Sequence, residues 1–284
     1  DVLKEHFDEE NIVYWMAFQI LMGNVDTQNR NVYLYSPLNS DIWYFIAWDN
    51  DGCLMRPEYE LRNFSDQNSW EKGISNYWGN ILFQRCLKSR SFREKLNDAI
   101  LDLREYLNKD MLTSKIESYK NVLKPYLYLM PDAEYEPLTS EQYDQIAASL
   151  PDEIEKNYQL YLESLETPMP FYIGVPTIDG DKLKFNWDVS YDLDAEDITY
   201  SVEVAGDYLF RDVIYQNTTL TVPEAEMDLP KAGQYFVRVR ATNTSGKTQD
   251  AFDYYVTDEG KYYGMRCFYI TEDSTVEEDD YEEG

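Results

Sequence analysis

The chain has 284 residues, a length that favours two domains over one. Its formal net charge of −29 argues against nucleic acid and anionic membranes as partners, because both bind through patches of Lys and Arg. With one histidine, the sequence offers no Ser-His-Asp or Cys-His catalytic group and no two-histidine metal site, and its three unevenly spaced cysteines give no disulfide framework. It has no apolar run of 18 residues, so no membrane span is expected.

The first predicted element is a buried helix over residues 11–22, which are apolar on most sides. Asp8 is placed to cap its first turn, and Gly23 is placed to end it. The polar stretch 24–30 follows without any period, so it is predicted to be a loop.

A β-hairpin is predicted next, because β-branched and aromatic residues fill 32–35 and 42–47 and turn-forming residues lie between them. With Tyr35 opposite Ile42, the loop before the first strand and the loop after the second strand emerge at the same end. We call this end the hairpin mouth; aromatic side chains are predicted to form the wall behind it, namely Trp43, Phe45 and Trp48.

The hairpin mouth gathers carboxylate and carboxamide side chains together with one guanidinium: Asn24, Asp26, Asn29, Arg30, Asn31, Asp49, Asn50 and Asp51. Three carboxylates this close require a partner, which is either a divalent cation or Arg30 with backbone amides. Oxygen ligands without His or Cys suit Mg²⁺ or Mn²⁺. The alternative is an ordinary pair of turns, since Asn, Asp and Gly are common in loops.

The order of these residues also matches a pattern of protein kinases. There a catalytic Asp is followed five residues later by a metal-binding Asn, then by a hairpin and a metal-binding Asp. Asp26, Asn31 and Asp49 follow this order, and the buried helix precedes them as it does in kinases.

Beyond Gly79 the sequence predicts helices at about 80–89, 91–108, 111–129 and 139–165. Thr139 and Gln142 form a possible capping box, and Pro151 is predicted to divide the last helix in two.

A stiff linker at 167–170 separates these helices from a region with a period of two. Apolar residues alternate along its strands and turns recur between them, which predicts a β-sandwich. Trp187 on an early strand and the alternating strand from Tyr235 to Asn243 resemble the fibronectin type III fold over about 170–258, which implies a role in spacing or adhesion. The nearly all-acidic stretch 272–284 is predicted to be disordered.

Three segments of the first domain resemble the spore coat protein H (CotH) kinase family: Gly23 to Asp26, Asn31 to Tyr35, and Trp43 to Gly52. The stretches from Tyr77 to Phe83 and from Phe92 to Leu96 extend the resemblance, which covers about 5–165. The family implies an atypical Ser/Thr kinase that uses ATP and a divalent metal.

The resemblance implies that Asp26 is the catalytic aspartate and that Asn31 and Asp49 bind the metal. Asp51 is a further carboxylate at the metal, and we assign Asn24 and Arg30 to cofactor binding. Ala47 departs from the family, which has Pro there. Because the chain shows no glycine-rich loop, it is expected to be the C-terminal-lobe portion of a kinase whose ATP-binding lobe lies upstream.

The predicted fold class is therefore α+β. A mainly helical kinase-like C-lobe portion with a catalytic β-hairpin is expected at 1–167, an immunoglobulin-like fibronectin type III sandwich at 168–258, and a short extension with the acidic tail at 259–284.

The predicted function is metal-dependent phosphoryl transfer from ATP to hydroxyl groups of Ser-rich, basic protein substrates, outside the cytoplasm or on the spore coat. The alternative is a non-catalytic kinase-like scaffold joined to an adhesion module. The oligomeric state is left open.

Overall fold

The structure is a computed structural model that describes residues 2–28, 30–54, 70–258 and 260–278. Its mixture of helix and sheet confirms the α+β class. No helix in the described ranges is long and apolar enough to cross a membrane. The chain divides into two compact units: the first comprises Asp1–Met55 and Arg85–Tyr161, the second Arg56–Gln84 and Leu162–Gly284.

Helices make up most of the first unit. In chain order the helices are α1 Val2–His6, α2 Glu9–Met22, α3 Ile81–Lys88, α4 Arg90–Tyr106, α5 Lys109–Leu127, α6 Ser140–Ser149 and α7 Glu153–Glu166. Both α3 and α7 cross the border between the units. In α4 the apolar face is buried, and α4 packs against α2.

The predicted ends of α2 are confirmed. Asp8 Oδ1 accepts the backbone N–H of Asn11 at 2.8 Å, and Gly23 takes the left-handed conformation that ends the helix. Most side chains of α2 are buried on every side, because they fill the centre of the unit.

The predicted capping box at the start of α6 is also present. The Gln142 side chain accepts the N–H of Thr139 at 2.8 Å, and the Thr139 hydroxyl accepts the N–H of Gln142 at 3.2 Å. Pro151 lies in a 3₁₀ turn, Leu150–Asp152, that separates α6 from α7 as predicted.

The predicted hairpin forms from β1 Tyr33–Tyr35 and β2 Tyr44–Ile46, but its predicted register is wrong by two residues. Tyr35 lies opposite Tyr44 instead of Ile42. The reason is that the N–H of Trp43 donates to His6 O at 2.7 Å, which holds this residue outside the hairpin ladder. A shift of two keeps every side chain on its predicted face.

One side chain of α2 fixes the position of this hairpin. The amide of Asn11 donates to Phe45 O at 3.1 Å and accepts the N–H of Phe45 at 2.6 Å. The Phe45 ring is buried against Trp15, with ring centroids 4.9 Å apart. Phe45 therefore belongs to the core and not to the predicted wall of the hairpin mouth.

The second unit consists mainly of antiparallel strands. They are β3 Thr177–Asp179, β4 Lys182–Asn186, β5 Ile198–Ala205, β6 Val213–Leu220, β7 Glu224–Asp228, β8 Gly233–Asn243, β9 Thr248–Asp250, β10 Tyr254–Thr257, β11 Gly260–Tyr263, β12 Met265–Ile270 and β13 Val276–Glu278. One sheet has the order β3-β4-β7, and the larger one has β13-β12-β8-β5-β6 with β9 also on β8. Apolar side chains of both sheets share one core.

The predicted end of this β-region at 258 is wrong. The predicted disorder of 272–284 is also wrong for residues 276–278, because they form the strand β13. The strand β12 pairs with β8 along its whole length, and β13 pairs with β12. Phe268 and Ile270 enter the shared core. The acidic composition of the C-terminal stretch led to the wrong prediction, although residues 262–270 include apolar residues that enter the core.

The predicted single border at 167 also differs from the structure, because residues 70–84 pack within the second unit. Trp70 Nε1 donates to Phe252 O at 3.1 Å, and the N–H of Ile74 donates to Ser164 Oγ at 3.0 Å. Such contacts join positions that are far apart in the sequence, so no local sequence pattern predicts them.

Candidate active site

The first loop of the hairpin mouth is fixed by the end of α2. After Gly23, the N–H of Asn24 donates to Gln19 O at 3.0 Å. A 3₁₀ turn, Val25–Gln28, follows and is closed by the Thr27 hydroxyl, which donates to Asn24 O at 3.1 Å. Asp26 lies in this turn with its side chain exposed.

The second loop follows β2 and is tied back to α2. Asp49 has a left-handed backbone (φ 50°) and precedes a 3₁₀ turn, Asn50–Gly52. The N–H of Leu54 donates to Met22 O at 2.7 Å. Because α2 also carries the first loop at its end, both loops are anchored to the same helix terminus.

A side-chain hydrogen bond joins the two loops directly. Asn24 is 2% exposed, and its Nδ2 donates to Asn50 Oδ1 at 3.2 Å. A β-carbon at Gly52 would lie 3.6 Å from Asp26 Oδ2. The carboxylate of Asp26 therefore lies beside the turn that carries Asp49 and Asp51.

The carboxylates of the mouth influence one another's ionisation. The nearby charge of Asp51 raises the pKa of Asp49 above its ordinary value; loss of hydration, a hydrogen bond with Asp51 and the charge of Asp26 add to this effect. Burial, with the charge of Asp51, raises the pKa of the Cys53 thiol to about 12. Negative charge is thus concentrated at the mouth, which favours a cation there.

The donor set of the mouth bears on the divalent cation that the sequence implies. Among the described residues, no three His, Cys, Asp or Glu side chains form a cluster that could hold a metal ion. Mg²⁺ is commonly held by only one or two carboxylates, with water and phosphate oxygens completing its shell. The oxygen donors of Asp49 and of the neighbouring Asp51 and Asp26 carboxylates are of the type that Mg²⁺ or Mn²⁺ prefers.

The predicted site residues fall into different environments. Asp26, Asp49 and Asp51 are exposed at the mouth, and Arg30 is exposed after the first loop. Asn31 is partly exposed and has a left-handed backbone (φ 53°). Asn29 lies outside the described residues.

Asn24, which the sequence assigns to cofactor binding, has a structural role in the mouth as well. Its burial and its bond to Asn50 make it a positioning residue that holds the second loop against the first. Sequence reasoning placed Asn50 at the mouth but gave it no role. A buried amide partner for a loop amide has no signature in a single sequence, because the two residues are 26 positions apart.

An aromatic pair beside the mouth was also not predicted as a pair. The rings of Tyr33 and Trp48 lie with centroids 5.1 Å apart, and about half of each side chain is exposed. The two residues lie on the hairpin face opposite Phe45, together with the exposed Tyr35 and Ile46. Alternation along the strands, read with the correct register, would have placed them together.

Comparisons with known proteins give one family. The sequence profile described as "CotH kinase protein" matches residues 1–161. No curated protein shows significant similarity to the chain.

Two solved structures show weak similarity. "Myokine structure" is 18% identical over 29% of this chain and 87% of that chain, with a TM-score of 0.24. "Structure of surface layer protein SbsC, domains 1-6" is 16% identical over 67% of this chain and 27% of that chain, with a TM-score of 0.20. Scores this low carry no argument about fold or function.

Proposed function

Because the chain belongs to the CotH kinase protein family, we propose that it is a protein kinase that transfers a phosphoryl group from ATP to Ser or Thr hydroxyls with the aid of Mg²⁺ or Mn²⁺. One observation carries this proposal. A hydrogen bond from Asn24 to Asn50 joins the two loops, and a β-carbon at Gly52 would lie 3.6 Å from Asp26 Oδ2, so carboxylates from two loops that are separated by the whole hairpin lie close together.

In the proposed mechanism Asp26 acts on the protein substrate. Its carboxylate is exposed, so it is accessible to an acceptor hydroxyl that it would orient and whose proton it would take. Asn24 supports this arrangement by holding Asn50, and with it the Asp49 loop, beside Asp26.

Asp49 and Asn31 are proposed to hold the cation, with Asp51 as a further carboxylate. When bound, the cation supplies positive charge that neutralises the phosphate oxygens. Arg30 is exposed after the first loop and offers a second positive charge to the nucleotide phosphates. The Tyr33–Trp48 pair offers an exposed aromatic surface on which a base can stack.

The test separates binding from transfer. Asp49→Asn is expected to lose metal-dependent ATP binding, measured by calorimetry with Mg²⁺ or Mn²⁺ and by terbium luminescence sensitised by the nearby Trp48. Asp26→Asn is expected to keep that binding and to lose phosphoryl transfer by about a hundredfold or more, because it removes the proposed base.

Asp41→Asn is the matched control, since Asp41 is an exposed carboxylate in the loop that connects β1 and β2. Its binding and transfer should equal those of the wild-type chain. Unchanged ATP binding and turnover in Asp49→Asn would contradict the proposal.

The substrate class follows from charge. A chain with net charge −29 attracts basic segments, and salt weakens this attraction. We propose Ser-rich protein substrates with flanking Lys or Arg, on the spore coat or elsewhere outside the cytoplasm. A Lys-flanked Ser peptide should react faster than a Glu-flanked one at low salt, and equal rates there would contradict this proposal.

The β-rich unit is proposed to be a fibronectin type III-like module. Its three-stranded sheet, packed through a shared core on a longer sheet around β5 and β8, supports this assignment.

A further inference from the structure

The helix α5 carries an apolar stripe that extends beyond the part of the helix that is covered. Its apolar residues follow spacings of four and three, as in a heptad pattern: Leu112, Ile116, Tyr119, Leu123 and Tyr126. Leu112 is 9% exposed, whereas Tyr119 is 63% exposed and Tyr126 is 66% exposed. The same helix face is thus packed at its start and open to solvent at its end.

We call the open surface the α5 stripe; it comprises Tyr119, Val122, Leu123 and Tyr126 at the end of α5 and Leu129 and Met130 just beyond it, each more than half exposed. Side chains of these sizes expose on the order of 700 Å² together. That area exceeds the roughly 300–600 Å² of the largest apolar patch on a typical monomer and approaches the roughly 800 Å² per partner of a stable interface.

Unpaired charges lie at the two ends of the stripe. Other lysines of α5 are paired: Lys109 with Asp152, Lys120 with Glu117, and Lys124 with Asp144. Lys115 precedes the stripe, Asp132 and Glu134 follow it, and among the described residues these three form no ion pair. One end of the stripe is therefore positive and the other end is negative.

We propose that the α5 stripe binds the α5 stripe of a second copy of this chain, with the two helices antiparallel about a twofold axis near Leu123. A twofold interface uses the same patch on both copies, so a patch with opposite charges at its ends is complementary to itself. Lys115 of each copy then lies beside Asp132 and Glu134 of the other. Within one copy, Lys115 lies about 18 Å along the helix from its end at Leu127, which Asp132 and Glu134 follow, and it does not pair with them.

The first experiment is sedimentation equilibrium of the full chain across micromolar concentrations. We expect a reversible monomer–dimer equilibrium, with a dissociation constant that rises at least tenfold in Leu123→Glu. Asn121→Glu is the matched control, because it adds the same charge to an exposed position on the opposite side of α5. It should dimerise like the wild-type chain.

The second experiment is a charge exchange across the proposed axis. Lys115→Glu alone and the pair Asp132→Lys with Glu134→Lys should each weaken the dimer several-fold. All three changes together should restore it, because the opposite charges then face each other again.

A chain that stays monomeric at all these concentrations would overturn the proposal. So would a dimer that Leu123→Glu leaves unchanged, or a combined variant with no recovery. Circular dichroism of each variant checks that the helices remain, as expected for changes at exposed positions.

Discussion

Gly23, which ends α2 and begins the first loop of the hairpin mouth, is predicted to be the most sensitive glycine of the first unit. Its φ is +64°, a conformation that L-residues adopt at a cost of about 1–2 kcal/mol. A β-carbon there would also lie 2.7 Å from Asn157 Nδ2. That amide donates to Leu21 O at 2.9 Å, so Gly23→Ala displaces a hydrogen bond worth about 1 kcal/mol.

The two terms together predict that Gly23→Ala lowers the free energy of unfolding by about 2–3 kcal/mol. Urea unfolding followed by tryptophan fluorescence measures this change, since Trp15 lies in the core of the same unit. Gly180→Ala is the matched control: Gly180 has the same φ of +64° but nothing lies within 4 Å of its β-carbon position. It should cost only the conformational term, about 1–2 kcal/mol.

A double-variant cycle isolates the contact with Asn157. In an Asn157→Ala background the steric conflict is absent, so Gly23→Ala should then cost no more than Gly180→Ala does. If Gly23→Ala costs the same with and without Asn157, the contact has no energetic role and the reasoning from geometry is wrong.

Three further predictions concern ionisation and the β-rich unit. The pKa of Asp49 is raised above 3.8 in the folded chain, chiefly by Asp51, so between pH 3.8 and the raised value the folded state binds more protons than the unfolded state. The contribution of Asp49 to the free energy of unfolding therefore falls as pH rises through that window. Asp51→Asn should bring the Asp49 pKa back toward 3.8 and flatten that part of the urea-unfolding profile; an unchanged profile would refute the coupling. Phe268→Ala should destabilise the second unit by about 3–5 kcal/mol in urea unfolding, because the ring is fully buried, whereas a loss below about 1 kcal/mol would show that β12 is not part of the core. The thiol of Cys53, with its pKa raised to about 12 by burial, should react with iodoacetamide at about pH 8 far more slowly in the native than in the denatured chain, as peptide mass spectrometry can measure.

The sequence by itself determined the elements whose signals are local. The caps of α2 and α6 depend on residues three or fewer positions from the helix end, so their hydrogen bonds follow from chain geometry alone. Alternation within single strands likewise determined which faces of β4, β5 and β8 enter the core. The segments Gly23 to Asp26, Asn31 to Tyr35 and Trp43 to Gly52 indicated the family, because a motif along the chain is visible without a fold.

Only the tertiary structure decided the features that depend on distant partners. The hairpin register follows from the bond between Trp43 and the carbonyl of His6, not from the turn residues. Residues 70–84 join the β-rich unit through contacts such as Trp70 with Phe252, which are 182 positions apart. Part of the acidic C-terminal stretch forms β13 because it pairs with the edge of β12, and composition does not predict this pairing.

The candidate site combines both kinds of information. Its residue types were visible in the sequence, but Asn24 became a buried positioning residue only when Asn50 was placed against it. The carboxylates act on one another because the Leu54 N–H to Met22 bond returns the second loop to the end of α2, beside the loop that carries Asp26. Electrostatic coupling falls with distance through space, and a sequence specifies distance only along the chain.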